Sequence, residues 1–272
     1  MLDAFQSEFM RNALFAGLLA GVACGIIGTL VVVNRIVFIS GGIAHAAYGG
    51  IGLAIFFGIP PLGGAVGFAL VTAMIMSAVT VNNKQRADTV VGVLWAVGMA
   101  LGIIMIDLTP GYKTDLMSYL FGSILAVPRV DILMMALVDT GVLIIVGMLY
   151  NSFLAMSFDE EFATAMGVRV GPLYYVLLGM IALSVIMLIR IVGLVLVIAL
   201  LTIPPFVAEK FCHSLKSMMA TSVLLNFLFT FIGLWFSYTF NLTSGATIIM
   251  VAAAFFFVSV AYGRARNRFR RQ

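Results

Sequence analysis

Long apolar stretches, separated by short polar breaks, run the length of the chain. Windows long enough to cross a bilayer fall at 12–33, 42–58, 62–81, 89–107, 131–150, 172–189, 191–208, 218–238 and 243–262, given that a spanning helix needs about 20 apolar residues. The pattern predicts an all-α integral membrane protein, a polytopic bundle of about nine transmembrane helices. Arg190 alone interrupts the pair 172–189 and 191–208. That pair reads either as two helices with a tight turn or as one long broken segment, which would leave about eight spans. The stretch beginning near Asn12 has no strongly basic segment before it and reads as a retained span, with no signal cleavage expected.

Two connections are too long for simple turns. Residues 108–130 hold a short amphipathic apolar stretch closed by Pro128, which predicts an outer interfacial or re-entrant helix. Residues 151–171 predict a short helix capped by Ser157, carrying Asp159, Glu160 and Glu161 in its first turn and ended by Gly167, an arrangement that suits the helix dipole. Phe158, Phe162 and Met166 recur every fourth residue on one face of it. Such a face is covered by the bilayer, by the protein's own bundle or by a partner.

Composition removes the soluble alternative. With 63% apolar and 10% charged residues and a mean hydropathy of +1.17, the chain carries more apolar surface than a soluble domain of this length hides. The net charge of +4 comes largely from Arg264, Arg266, Arg268, Arg270 and Arg271. This basic tail suits a cytoplasmic face and anionic lipid headgroups; it is not a nucleic-acid patch. Placing it inside also puts Arg35, Lys84, Arg86, Arg169, Lys210 and Lys216 inside, leaving Arg11, Lys113, Arg129 and Arg190 outside. The domain organisation read from this is one transmembrane domain over 1–262 and a cytoplasmic tail over 263–272. Cys24 and Cys212 lie in settings that do not suit a disulfide.

Charged and polar side chains within spans are costly and therefore stand out as candidates. His45 lies in a run of small residues, Gly41, Gly42, Gly49, Gly50 and Gly52, that permit close helix packing. Its imidazole is a metal ligand or, equally in keeping with the sequence, a histidine hydrogen-bonded to a neighbouring helix. Asp139 is the one carboxylate well inside a window, either a pathway ligand or a group bonded to a serine or the backbone. Arg190 reads as snorkelling at a helix end, and Asp107 and Asp131 as marking span ends. Glu209, Cys212 and His213, spaced i, i+3 and i+4, would share one helix face as possible exit ligands, or be a chance polar cluster at a helix end. No Gly-x-x-x-x-Gly-Lys-Ser/Thr and no His-Glu-x-x-His occurs, so neither a phosphate-binding loop nor a closed zinc-hydrolase site is encoded.

Four segments together resemble the ABC-3 family, the permeases of bacterial and archaeal zinc, manganese and iron importers. They are Ala44-His45-Ala46 with its following glycines, residues 116–125 of the outer connection, the acidic inner connection through Gly167-Val168, and residues 192–205 ending in Pro204-Pro205. The resemblance implies a permease subunit in a bacterial or archaeal inner membrane. It also implies a second copy forming a homodimer around a translocation path, two cytoplasmic ATPase subunits, and an extracytoplasmic metal-binding protein. On this resemblance 158–168 is the coupling helix that docks into the ATPase, the metal is cargo and not a permanent cofactor, and the chain itself is not an enzyme.

One position departs from the family pattern. Many of its metal permeases carry Asp four residues before the histidine, and here that residue is Gly41. Either Asp139 supplies the oxygen or the ion passes with fewer protein ligands. Nitrogen ligation by His45 leans toward zinc, with manganese and iron open. The alternative readings are a proton- or ion-coupled secondary transporter or channel, and an ABC permease for a metal chelate.

Overall fold

The computed structural model describes residues 8–82, 86–110, 124 and 127–269, with the main chain alone for 8–10, 82 and 264–269. The described helices are α1 (Glu8–Val33), α2 (Val37–Phe56), α3 (Pro61–Asn82), α4 (Ala87–Asp107), α5 (Arg129–Met148), α6 (Tyr150–Phe158), α7 (Glu160–Ala165), α8 (Val170–Val192), α9 (Leu194–Glu209), α10 (Leu215–Phe240) and α11 (Ser244–Phe269). Eight of them contain stretches long and apolar enough to cross a membrane, and the shorter α9 is apolar throughout most of its length. All nine apolar windows are therefore helices. The predicted outer interfacial helix at 116–125 lies outside the described residues except for Ile124, as do Lys84, Lys113 and the side chains of the basic tail.

The ambiguous pair resolves into two helices, but the break is not at Arg190. Arg190 sits in the last turn of α8, and the chain breaks at Gly193, whose φ is +83°. Only glycine takes that left-handed backbone without a Cβ clash. Pro204 and Pro205 lie inside α9, where they withhold two backbone donors, and the helix stops four residues later.

Two compact units make up the described chain. The first consists of Met1–Val33, Leu120–Ala136 and Ile191–Gln272, the second of Asn34–Tyr119 and Leu137–Arg190. In the first, α1 packs on α9 and α10, and both of those meet α11. Gly25 of α1 lies so close to α10 that a Cβ would fall 2.6 Å from the Val223 nitrogen. Thr29 and Ser222 bring their hydroxyl oxygens to 3.3 Å across the same seam, while each hydroxyl donates to a carbonyl of its own helix, Gly25 at 2.6 Å and Met218 at 2.7 Å.

In the second unit α2 is sandwiched between α3 and α4. A Cβ at Gly49 would meet the Gly98 carbonyl oxygen at 2.9 Å, and one at Gly52 would lie 2.6 Å from the Gly102 Cα. Gly50 faces Gly64 and Gly42 faces Val91 just as closely. Backbone meets backbone here, which is the membrane solution to packing when lipid removes the hydrophobic drive between helices. Gly41, grouped with these from its neighbours in sequence, differs: no atom lies within 4 Å of its Cβ position.

Candidate functional site

The inner connection folds differently in detail from the helix predicted over 158–168. Phe158 ends α6, and Asp159, in extended conformation, caps α7 by accepting from the Phe162 N–H at 3.0 Å. Ser157 is not the cap. Its hydroxyl accepts instead from the Asn34 side-chain amide at 3.0 Å, tying the turn after α1 to the end of α6. Asp outcompetes Ser because the chain straightens only at residue 159, and the cap must stand at that first non-helical residue. Glu160 and Glu161 occupy the first turn of α7, and Gly167, at φ +86°, follows its end.

A second hydrogen bond secures α7 to the bundle. The Tyr174 hydroxyl of α8 donates to Glu160 Oε1 at 2.9 Å. Ala163 is fully buried beneath the helix. On the other side Phe158, Phe162 and Met166 are 84%, 61% and 70% exposed. The corner is thus tied down from below while three large apolar side chains, from the end of α6, from α7 and from its C-cap, stand outward.

His45 lies on the inner helix of the α2–α3–α4 group. Its ring stacks on Trp95 of α4, with centroids 4.0 Å apart and planes 9° from parallel. Trp95 is itself fixed, since its indole N–H donates to the Met99 sulfur at 3.1 Å. Nδ1 of His45 is buried without a hydrogen-bond partner. The hydrogen-bonded alternative would have satisfied that atom; instead an imidazole nitrogen is left with a lone pair or a proton for something else. Sequence reasoning missed Trp95, because nothing in the spacing of two residues fifty positions apart announces that they stack.

Asp139 is 3% exposed in α5, and neither carboxylate oxygen has a hydrogen-bond partner. A bare carboxylate so placed costs several kcal/mol, which makes Asp139 the most demanding polar group of its span. Glu209, Cys212 and His213 are not on one helix face. α9 ends at Glu209, Cys212 donates to Thr221 Oγ1 at 3.3 Å, and His213 falls in the following bend. The i, i+3, i+4 spacing assumed a helix continuing past Glu209, whereas the chain leaves the helix at Lys210. Among the described residues no group of three or more His, Cys, Asp or Glu side chains comes together in a form that could hold a metal.

Known proteins share this framework. An uncharacterized membrane protein of Synechocystis is 51% identical over 264 residues, covering 97% of this chain and 94% of its own. The manganese import system permease protein ScaB of Streptococcus parasanguinis is 32% identical over 254 residues, covering 93% of this chain and 90% of its own. Among solved structures, PsaBC from Streptococcus pneumoniae, in complex with Fab, superposes with a TM-score of 0.84 at 32% identity, over 95% of this chain and 93% of that one. With its apolar spans in place and with a family model matching residues 6–263, the chain belongs to the ABC 3 transport family.

Proposed function

We propose that this multi-pass protein is the permease subunit of an ATP-binding-cassette importer that moves a divalent transition metal into the cytoplasm. The observation that carries the reading is the α6–α7 corner: Phe158, Phe162 and Met166 stand exposed on a helix braced by the Ser157–Asn34 and Glu160–Tyr174 hydrogen bonds. An ATPase subunit that docks there would transmit its movement into α8 through Glu160 and Tyr174. With no phosphate-binding loop in the sequence, nucleotide hydrolysis belongs to that partner.

His45 and Asp139 are the residues assigned to the metal pathway, each with a buried polar atom awaiting a partner. Two ligands do not form a closed cage, and passage favours weak, incomplete coordination over tight binding. For the metal, the histidine alone leans toward zinc, but the relatives with a named metal support manganese, and manganese is the reading adopted here. A second copy across the pathway would double the ligand set, and an extracytoplasmic metal-binding protein would deliver the ion. The distribution of basic residues supports a cytoplasmic C-terminal tail on an inner-membrane protein.

The test is reconstitution with the cognate ATPase in proteoliposomes and measurement of manganese and zinc uptake. ATP-dependent manganese uptake is expected, abolished in Phe162→Asp while the permease stays folded. Uptake by the permease alone, driven by a proton gradient without ATP, would replace this reading with a secondary transporter.

A further inference from the structure

A cavity of about 300 Å³ opens at the end of the second unit where α2 passes to α3 and α8 makes its last turn. Small side chains keep it open: Ala44 and Ala47 on α2 and Ala65 on α3, with Ile186 and Ile189 of α8 completing an apolar wall. Among the described residues that line it, Arg190 alone is charged, and its side chain is exposed.

The cavity does not suit the transported ion. It offers no carboxylate, and a guanidinium at its edge repels a divalent cation, more strongly in the low dielectric of a membrane than in water. Tyr48 and Arg190 are the only polar side chains among the described lining residues, so a polar metabolite would leave most of its hydrogen bonds unmet against alanine, proline, leucine and isoleucine. What the surface matches is an amphiphile, apolar along its length and anionic at one end. The volume lies at the small end of ligand pockets, which run from about 300 to 1,000 Å³, enough for part of one acyl chain. Arginine presents its donors in a planar fork that grips phosphate oxygens in pairs, and it stands in the last turn of a spanning helix, where headgroups begin.

We propose that this cavity binds an anionic phospholipid of the surrounding bilayer, with one acyl chain against Ala47, Ala65 and Ile186 and its phosphate on Arg190. The assignment is independent of the cargo and of the docking helix.

The full-length protein, stripped of lipid in detergent, is titrated with phosphatidylglycerol or phosphatidylcholine and followed by native mass spectrometry. Wild type is expected to retain phosphatidylglycerol in preference, and Arg190→Gln to lose about tenfold in its affinity, the effect of one charge-assisted contact. Arg190→Lys should recover part of the loss. Ala65→Leu, which fills the cavity, should weaken both lipids, and it decides the matter should Arg190→Gln fail to fold. Equal retention of the two lipids by wild type, or a preference untouched by both Arg190→Gln and Ala65→Leu, would overturn the proposal. So would displacement of the lipid by millimolar inorganic phosphate, the sign of a plain anion site. A change of oligomeric state in these variants with no change in lipid retention would assign the cavity to a second copy of the chain instead.

Discussion

The two units pack their central helices by different means. In the second, α2 lays glycines against the glycines of its neighbours, Gly49 on Gly98, Gly52 on Gly102 and Gly50 on Gly64. In the first, α1 changes its mode of packing along its length: Gly17 faces the Thr230 side chain and Gly21 the Asn226 Cβ, whereas Gly25 lies against the Val223 backbone and Gly28 against the Leu201 carbonyl. The Gly17–Gly21 part of the first seam is therefore lined by buried hydroxyl and amide groups, whereas Gly49, Gly50 and Gly52 of the second meet backbone, with one imidazole on the flank of their helix. A polar seam adjusts by rotating side chains, whereas touching backbones have nothing to rotate. His45 thus sits on the helix whose Gly49, Gly50 and Gly52 meet neighbouring backbone.

The sharpest way to break this contrast is to add bulk to each seam. Gly98→Leu puts a Cβ 2.7 Å from the Ala46 Cα and should cost about 3 kcal/mol or more, since overpacking here separates backbones. Loss of monodisperse folded protein on size-exclusion chromatography is the expected outcome. In the first unit, a Cβ at Gly21 meets the Asn226 Cβ at an ordinary 3.4 Å. Gly21→Ala should therefore leave the unfolding temperature unchanged or raised, given the helix preference for Ala of about 1 kcal/mol. Equal damage from both would abolish the distinction.

Smaller effects sharpen it. Asn226 is fully buried, and neither its amide nitrogen nor its oxygen has a partner. Asn226→Leu removes an unsatisfied group of similar shape and should stabilise the protein by about 1 kcal/mol, seen as a higher midpoint in thermal unfolding. Tyr174→Phe deletes the bond to Glu160 at a cost of about 1 kcal/mol. Its clearer signature is functional: the ATPase should still bind, with transport per ATP hydrolysed reduced.

Much of the fold is legible in the sequence because bilayer thickness sets a length that apolar runs must match. Each of the nine windows is a helix. The exposed apolar side chains of the inner connection were legible too, since Phe158, Phe162 and Met166 keep a four-residue spacing and all three are exposed. Capping was not: Ser157 and Asp159 are both good caps, and the choice rests on where the backbone straightens. The break between α8 and α9 was attributed to the charged Arg190, whereas a helix end tolerates arginine readily and Gly193 supplies the turn. For Glu209, Cys212 and His213 the error lay in extending helical spacing past the point where the helix stops.

The sequence by itself determined the solvent, the number of apolar helices and the residues that could carry charge inside them, because those follow from hydropathy and length alone. It also determined that no Gly-x-x-x-x-Gly-Lys-Ser/Thr phosphate-binding loop is written in this chain, since that motif is contiguous and either present or not. Only the tertiary structure decided which glycines touch backbone and which, like Gly41, face open space. It alone stacked His45 on Trp95, left Asp139 without a hydrogen bond and braced α7 against Tyr174. Each of those depends on distances between residues far apart in the chain, and such distances are set by helix packing rather than by local pattern.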